Sequence, residues 1–171
     1  MKKAVYAALI LLVTFPNVSC DFNPIFNPDI FNVPETVEID GYQYSLVDTF
    51  LSLNRQPTMQ WGADPTPFYA IATVMMSDPS QPTAESQTSV AFPEDIVMTR
   101  LWVINGEETW QAKRLKDYGL SNDPDNLLRK KTEGRVYWGD IYVDVVVELV
   151  NRSNWKRFLL KISDQYIQIS V

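Results

Sequence analysis

The stretch IYVDVVVELVNRSNWKRFLLKI, residues 141–162, decides the fold of this chain. Its first half alternates aliphatic residues with others, which is the period of a β-strand that buries one face. Asp144 and Glu148 lie on the opposite face, so that face is at least partly solvated. Residues 151–154 are turn formers, and the second half alternates again. The stretch therefore predicts an antiparallel hairpin. The residues predicted to face the core are Ile141, Val143, Val145, Val147, Leu149, Phe158, Leu160 and Ile162.

A second hairpin is predicted around Asn105-Gly106, the strongest short signal for a tight β-turn. With these two residues as the loop, Leu101 lies opposite Trp110, and both face the core. Trp102 and Arg100 then share the other face. Further strands are predicted at residues 42–53, 68–76, 89–92 and 166–171.

The strands follow one another without alternating helices, which favours an all-β, antiparallel sandwich. One short helix is predicted in a long loop, because Asp123 can cap it, Pro124 suits its first turn and Gly134 can end it. In strand number and spacing the domain resembles immunoglobulin-like β-sandwiches. The cysteine pair of that fold is absent, so the resemblance implies a fold and no specific family.

The first twenty residues read as an export signal. Met1-Lys2-Lys3 is basic, residues 4–15 are apolar, and Val18-Ser19-Cys20 supplies small residues at a cleavage site. Twelve apolar residues make a helix of about 18 Å, which is shorter than the bilayer core of about 30 Å. We therefore predict a signal peptide at residues 1–19 rather than a permanent membrane span.

Val18-Ser19-Cys20-Asp21 resembles the lipobox of bacterial lipoproteins, although Asn17 departs from the aliphatic residue usual at its position. The resemblance implies cleavage before Cys20 and attachment of diacylglycerol to its sulfur. The chain has no other cysteine, so an intrachain disulfide is excluded. The alternative is ordinary signal cleavage, which would give a soluble periplasmic or secreted protein.

The segment that follows the cysteine is rich in Asn, Pro and Phe and repeats Phe-Asn-Pro at residues 22–24 and 26–28. Its prolines favour extended or turn geometry. We predict a lipidated tether at residues 20–34 and a β-sandwich domain at residues 35–171. The tether aromatics could contact the membrane, a partner or the domain itself.

The composition removes most catalytic chemistry. The chain has no histidine and no glycine-rich phosphate loop, and its cysteine is the predicted lipid site. Carboxylate pairs such as Glu94-Asp95 leave a two-carboxylate hydrolase as an alternative. The net charge of −6 argues against a nucleic-acid partner. We predict no enzymatic activity, no catalytic residues, no cofactor and no metal.

Two groups of residues are candidates for binding. Arg129, Lys130 and Lys131 belong to a basic cluster within residues 113–135, which either contacts an anionic partner or is a solvated surface. Trp102, with Arg100 beside it, is the best candidate for an exposed aromatic that stacks on a sugar. The alternative is that Trp102 is covered by the tether or by a loop.

The sequence thus predicts a lipoprotein of the bacterial cell envelope, anchored to a membrane through Cys20. It would act as a binding or assembly accessory module, with an envelope protein as the expected partner. The alternative is a module that binds surface glycans.

Overall fold

A computed structural model describes residues 28–54, 68–81, 90–112, 114–134 and 142–170. The predicted signal peptide, Cys20 and the first part of the predicted tether lie outside these ranges. Nine strands occur within them, and the predicted all-β class is confirmed. In chain order the strands are β1 (Thr36–Ile39), β2 (Tyr42–Asn54), β3 (Phe68–Ser77), β4 (Ile96–Asn105), β5 (Glu108–Ala112), β6 (Lys116–Asp117), β7 (Leu127–Gly134), β8 (Tyr142–Asn151) and β9 (Lys156–Ser170).

The strands form one curled sheet in the order β5-β4-β8-β9-β2-β3-β7-β6, and β1 pairs with β2 beside this path. The pairing is mixed, because β9 runs antiparallel to β8 and parallel to β2. The sheet is a half-barrel rather than two clearly stacked immunoglobulin-like layers. Of the strand predicted at residues 166–171, the described residues 166–170 are the last part of β9, which leaves β8 and continues along β2.

A single extra residue in each of three long strands, β2, β4 and β9, produces this curl. In β2 the register shifts between Leu46 and Asp48, and the inward positions change from even numbers (Tyr44, Leu46) to odd numbers (Leu51, Leu53). The pairing of β4 and of β9 with β8 shows the same one-residue shift. Such bulges bend a strand and increase its twist, which is how a long sheet coils.

The concave side of the sheet holds one apolar core. Trp110 closes this core across the open side, where its ring packs edge-on against Phe68 with 5.3 Å between centroids. Each strand of the hairpin at residues 142–170 presents the predicted face to the core. The residues of the cluster that are less than 1% exposed are Phe68, Ala70, Ala72, Val74, Leu101, Val103, Val145, Val147, Leu149 and Leu160.

The predicted short helix is wrong, because residues 121–126 form turns and β7 follows them. Leu128 faces the core while Arg129 faces outward, so the segment fits a strand that has one buried face. β7 pairs with eight residues of β3, which would otherwise be an open edge. Sheet pairing therefore overrides the helix-end signals. In the described part of the chain, no helix is long and apolar enough to cross a bilayer.

The β4–β5 hairpin is confirmed, but its loop is displaced by one residue. Asn105 pairs with Glu108, so the loop is Gly106-Glu107, and Gly106 has the positive φ of 56° that a type II′ turn requires. Trp110 consequently lies opposite Val103 instead of Leu101. The predicted faces of both strands are nevertheless correct. The displacement moves the cross-strand partner by two positions, and residues two positions apart in a strand lie on the same face.

Tyr44 lies in the core, and its hydroxyl donates a hydrogen bond to the Met76 sulfur at 3.4 Å. Burial first, and then nearby Asp40 and Asp95, raise the pKa of this phenol from 10.0 to about 12. Between these values the unfolded chain loses the Tyr44 proton while the folded chain keeps it. The contribution of Tyr44 is therefore constant below pH 10 and falls above it, by about 1.4 kcal/mol per pH unit.

We expect Tyr44→Phe to remove this alkaline loss of stability. The measurement is the free energy of unfolding by urea at pH 9, 10.5 and 11.5 for both proteins. The difference between the two curves isolates Tyr44 from the other tyrosines and the lysines. Curves that stay parallel from pH 9 to 11.5 would contradict the expectation.

Candidate functional site

The outward face of β8 organises the convex side of the sheet. Tyr142, Asp144, Val146 and Glu148 follow one another at every second position on this face. Their surroundings differ. Tyr142 belongs to an exposed aromatic pair and Asp144 to an ion pair, while Val146 is covered by apolar side chains and Glu148 belongs to a buried charge cluster. Asp144 binds the Lys161 ammonium at 3.2 Å and divides the aromatic pair from the covered part.

Glu148 is fully buried although it faces outward. The Arg157 guanidinium donates to both of its carboxylate oxygens at 3.1 Å, and Arg100 Nε lies 3.6 Å from one of them. The Thr99 hydroxyl, placed here by the bulge of β4, also donates to the carboxylate. Arg100 was a predicted binding residue, and the structure gives it a partner within the protein.

Residues 28–34, which we call the strap, cross the convex face. The Asp29 carboxylate accepts hydrogen bonds from the Phe31 N–H at 3.0 Å and the Asn32 side-chain amide at 2.8 Å, which closes a compact turn. These bonds, led by that of Asn32, lower the pKa of Asp29.

Ile30 and Val33 pack onto the sheet. The Lys161 N–H donates to the Pro34 carbonyl at 3.0 Å. The described half of the predicted tether therefore packs on the domain itself.

Trp102 lies beneath the strap and is 4% exposed. It packs with Ile104, Val146 and Val33 in a small apolar cluster on the convex face. Trp102 was a candidate for an exposed aromatic, and the alternative that the tether covers it is confirmed. A tryptophan on the wetter side of a strand is accommodated because a second layer of chain excludes water from it.

A row of exposed rings crosses the convex face beyond the strap. Tyr142 and Tyr166 are 57% and 51% exposed, with ring centroids 5.6 Å apart. Tyr166 precedes Ile167, which pairs with Leu51, so Phe50 is its neighbour on β2. Phe50 is 37% exposed and packs edge-on against Tyr69 of β3 at 6.3 Å. We call Tyr142, Tyr166, Phe50, Tyr69 and Tyr118 the aromatic face.

The aromatic face contains a shallow concavity of about 330 Å³. Burial, Tyr118 and Glu133 together raise the pKa of the Tyr69 hydroxyl. The floor is apolar and the rim carries one charge of each sign. Its lining residues are Asp48, Phe50, Tyr69, Ile71, Tyr118 and Arg129.

The predicted basic residues are divided by β7 into two kinds. Arg129 donates to both oxygens of Asp123, at 2.8 and 2.9 Å, and to the Thr73 hydroxyl at 3.1 Å. Lys130 is paired with Asp117. These two cations therefore stabilise the loop and the short β6 edge, and they are not free to serve a ligand.

Lys131 has different surroundings. Its ammonium lies 4.9 Å from the centre of the Tyr118 ring, at the border of the aromatic face. With Arg114 and Lys116 it lines a second concavity of about 270 Å³, which also includes Thr132 and Glu133. We call this the basic pocket. The other predicted members of the cluster, Lys113 and Arg135, lie outside the described residues.

The aromatic face was not foreseen in the sequence, because its rings come from four strands and the loop after β6, and two of those strands contain bulges. The only local signal was the presence of Tyr and Phe at positions between core residues. Within the described ranges, no group of three or more acidic, His or Cys side chains could hold a metal ion. Asp123, the predicted cap of the short helix, instead forms a salt bridge with Arg129.

Comparisons of the chain with protein-family models, with curated proteins and with solved structures found no match.

Proposed function

We propose that this protein is a lipid-anchored binding module of the bacterial cell envelope, which docks a partner on its aromatic face. The observation that carries the proposal is the row of rings that remains exposed on the convex side of the sheet. Tyr142 and Tyr166 are each more than half exposed. Aliphatic side chains fill the core, and these two rings lie outside it. Exposed apolar surface of this kind marks interaction sites in soluble domains.

Aromatic residues supply most of the energy in many interfaces because they bury a large rigid area. The sheet beneath them is stiff, since the four strands that carry Tyr142, Tyr166, Phe50 and Tyr69 are each paired on both sides. A partner therefore meets a preformed surface and loses little free energy in ordering it. This arrangement suits binding rather than chemistry on a substrate.

The strap supports the anchoring part of the proposal. If Cys20 carries lipid, residues 20–27 are the chain between the membrane and the strap, and eight extended residues reach at most about 28 Å. A domain held this near a surface meets partners in that surface at a high effective concentration. A modest contact at the aromatic face is then sufficient for binding.

Replacement of Cys20 by serine tests the anchor. We expect the full-length protein to fractionate with the membranes and Cys20→Ser to move to the soluble fraction, because two acyl chains give stable anchoring. The measurement is immunoblotting of fractionated cells, with mass spectrometry of the mature N-terminus. Wild-type protein that is soluble and unacylated would instead support the alternative of a secreted or periplasmic protein.

Replacement of Tyr166 by alanine tests the aromatic face. We expect cross-linking of the lipidated protein in native envelopes to yield a specific adduct that Tyr166→Ala weakens by about tenfold. Trp155→Asn is the matched control. Trp155 is 73% exposed at the far end of β8, and asparagine tolerates its positive φ of 59°. An adduct that is insensitive to Tyr166 but lost in the control would place the binding surface elsewhere.

A further inference from the structure

We infer that the ligand of the aromatic face is a linear glycan that carries carboxylate groups, with its sugar rings on the aromatic face and its negative charge in the basic pocket. This inference rests on the proposed function and names the class of ligand for the same surface. It follows from three features of the convex side, which are the continuity of the two sites, the imbalance of charge and the position of the rings on the sheet.

The aromatic face and the basic pocket form one surface. Tyr118 lines the aromatic concavity, and Lys131 lines the basic pocket, while the Lys131 ammonium lies over the Tyr118 ring. From Tyr142 on β8 to Lys131 on β7 the surface crosses five neighbouring strands. At a strand spacing of about 4.8 Å this is about 19 Å, which gives room for several consecutive sugar rings.

The charge at the β7 end of this surface is positive on a protein that is acidic as a whole, with a net charge of −6. Arg129 and Lys130 are neutralised by Asp123 and Asp117. Within the described ranges, no salt bridge joins Arg114, Lys116 or Lys131 to a carboxylate. Glu133 is the one acidic residue in the lining of their pocket. Three cations against one anion complement an anionic ligand.

The position of the rings favours a glycan over an acidic peptide. Extended peptides are bound by adding a strand to a sheet edge, where backbone groups are unpaired. The rings of Tyr142, Tyr166, Phe50 and Tyr69 lie on four strands in the interior of the sheet, whose edges are β5 and β6. Recognition here must use side chains alone. Sugars match this surface because they have apolar C–H faces for the rings and hydroxyl groups for the tyrosines.

Isothermal titration of the detergent-solubilised full-length protein tests the inference. The probes are an oligogalacturonate, a neutral cello-oligosaccharide of equal length and poly-L-glutamate. We expect the oligogalacturonate to bind and the neutral oligosaccharide to bind at least tenfold more weakly. Tyr166→Ala and Lys131→Gln should each reduce the affinity for oligogalacturonate by about tenfold. Trp155→Asn and Lys156→Gln, at the opposite end of the hairpin, should leave it unchanged.

Equal affinity for the neutral oligosaccharide would overturn the role of the basic pocket. Binding of poly-L-glutamate that matches oligogalacturonate and ignores Tyr166→Ala would identify an acidic protein surface as the ligand and overturn the inference. Absence of binding to oligogalacturonate would also overturn it. If the envelope adduct still depends on Tyr166 in that case, the proposed binding module stands and only its ligand class is wrong.

Discussion

Replacement of both Arg100 and Arg157 by methionine should lower the free energy of unfolding by about 3–5 kcal/mol. The two changes leave the Glu148 carboxylate fully buried with only the Thr99 hydroxyl from the cluster we describe. A buried charge without a counterion has lost its hydration and gained nothing comparable in return. The arginines themselves are partly exposed, so their removal exposes little core.

A third substitution makes this prediction specific. Glu148→Leu in the Arg100→Met/Arg157→Met background should restore most of the lost stability, because an apolar cluster of similar volume replaces the ion cluster. Urea denaturation of the single, double and triple variants gives the coupling energies. If the double variant loses less than 1 kcal/mol, or if Glu148→Leu does not recover it, Glu148 is not held by these arginines.

Replacement of Gly134 by alanine should cost about 2–3 kcal/mol. A Cβ atom at this position would lie 2.0 Å from the Trp110 ring, far inside van der Waals contact. The indole is rigid and already packs against Phe68, which is fully buried, so the ring must leave the gap between β5 and β7. This movement would open the core at the edge where the half-barrel comes closest to closing.

Gly119→Ala is the matched control, because a Cβ atom there meets nothing within 4 Å. We expect it to change stability by less than about 0.5 kcal/mol. Thermal unfolding measures the loss of stability in each variant, and tryptophan fluorescence measures the displacement of the Trp110 ring. Trp110→Leu should reduce the penalty of Gly134→Ala, since the smaller side chain can withdraw from the added methyl group. A penalty that is unchanged in the Trp110→Leu background would show that the contact is not its cause.

The two predictions also separate structural residues from binding residues. Arg100, Arg129 and Lys130 were candidates for binding, but each has a carboxylate partner within the domain. Their substitution should therefore affect stability before it affects any ligand. Lys131 lies at the ligand surface that we propose, and no salt bridge among the described residues joins it to a carboxylate, which makes it the informative cation to change.

The hairpin of residues 142–170 shows how far periodicity reaches. The inward face of β8 was predicted correctly from Val143 to Leu149, because an uninterrupted strand alternates faithfully. In β9 the predicted inward positions Phe158, Leu160 and Ile162 also face the core, and a one-residue bulge beyond them then moves the inward positions to odd numbers, as at Ile167. Asp40 and Gly41 form the turn between β1 and β2, with φ angles of 51° and 85°. An Asp-Gly pair is a sequence signal for such a turn, although we predicted no hairpin there.

Local sequence alone determined the all-β class, the buried and outward faces of β8 and both predicted hairpins. These features depend on residues that are close to one another in the chain. It also indicated that Trp102 needed a cover. The tertiary structure decided the curl of the sheet, the parallel pairing of β2 with β9, the strand at β7 and the row of rings. These arise between residues that are as many as 116 positions apart, as Leu51 and Ile167 are, and their energies depend on which surfaces meet. A local pattern predicts which face of a strand is buried. Which strand becomes its neighbour in the sheet is decided only when all the strands pack together.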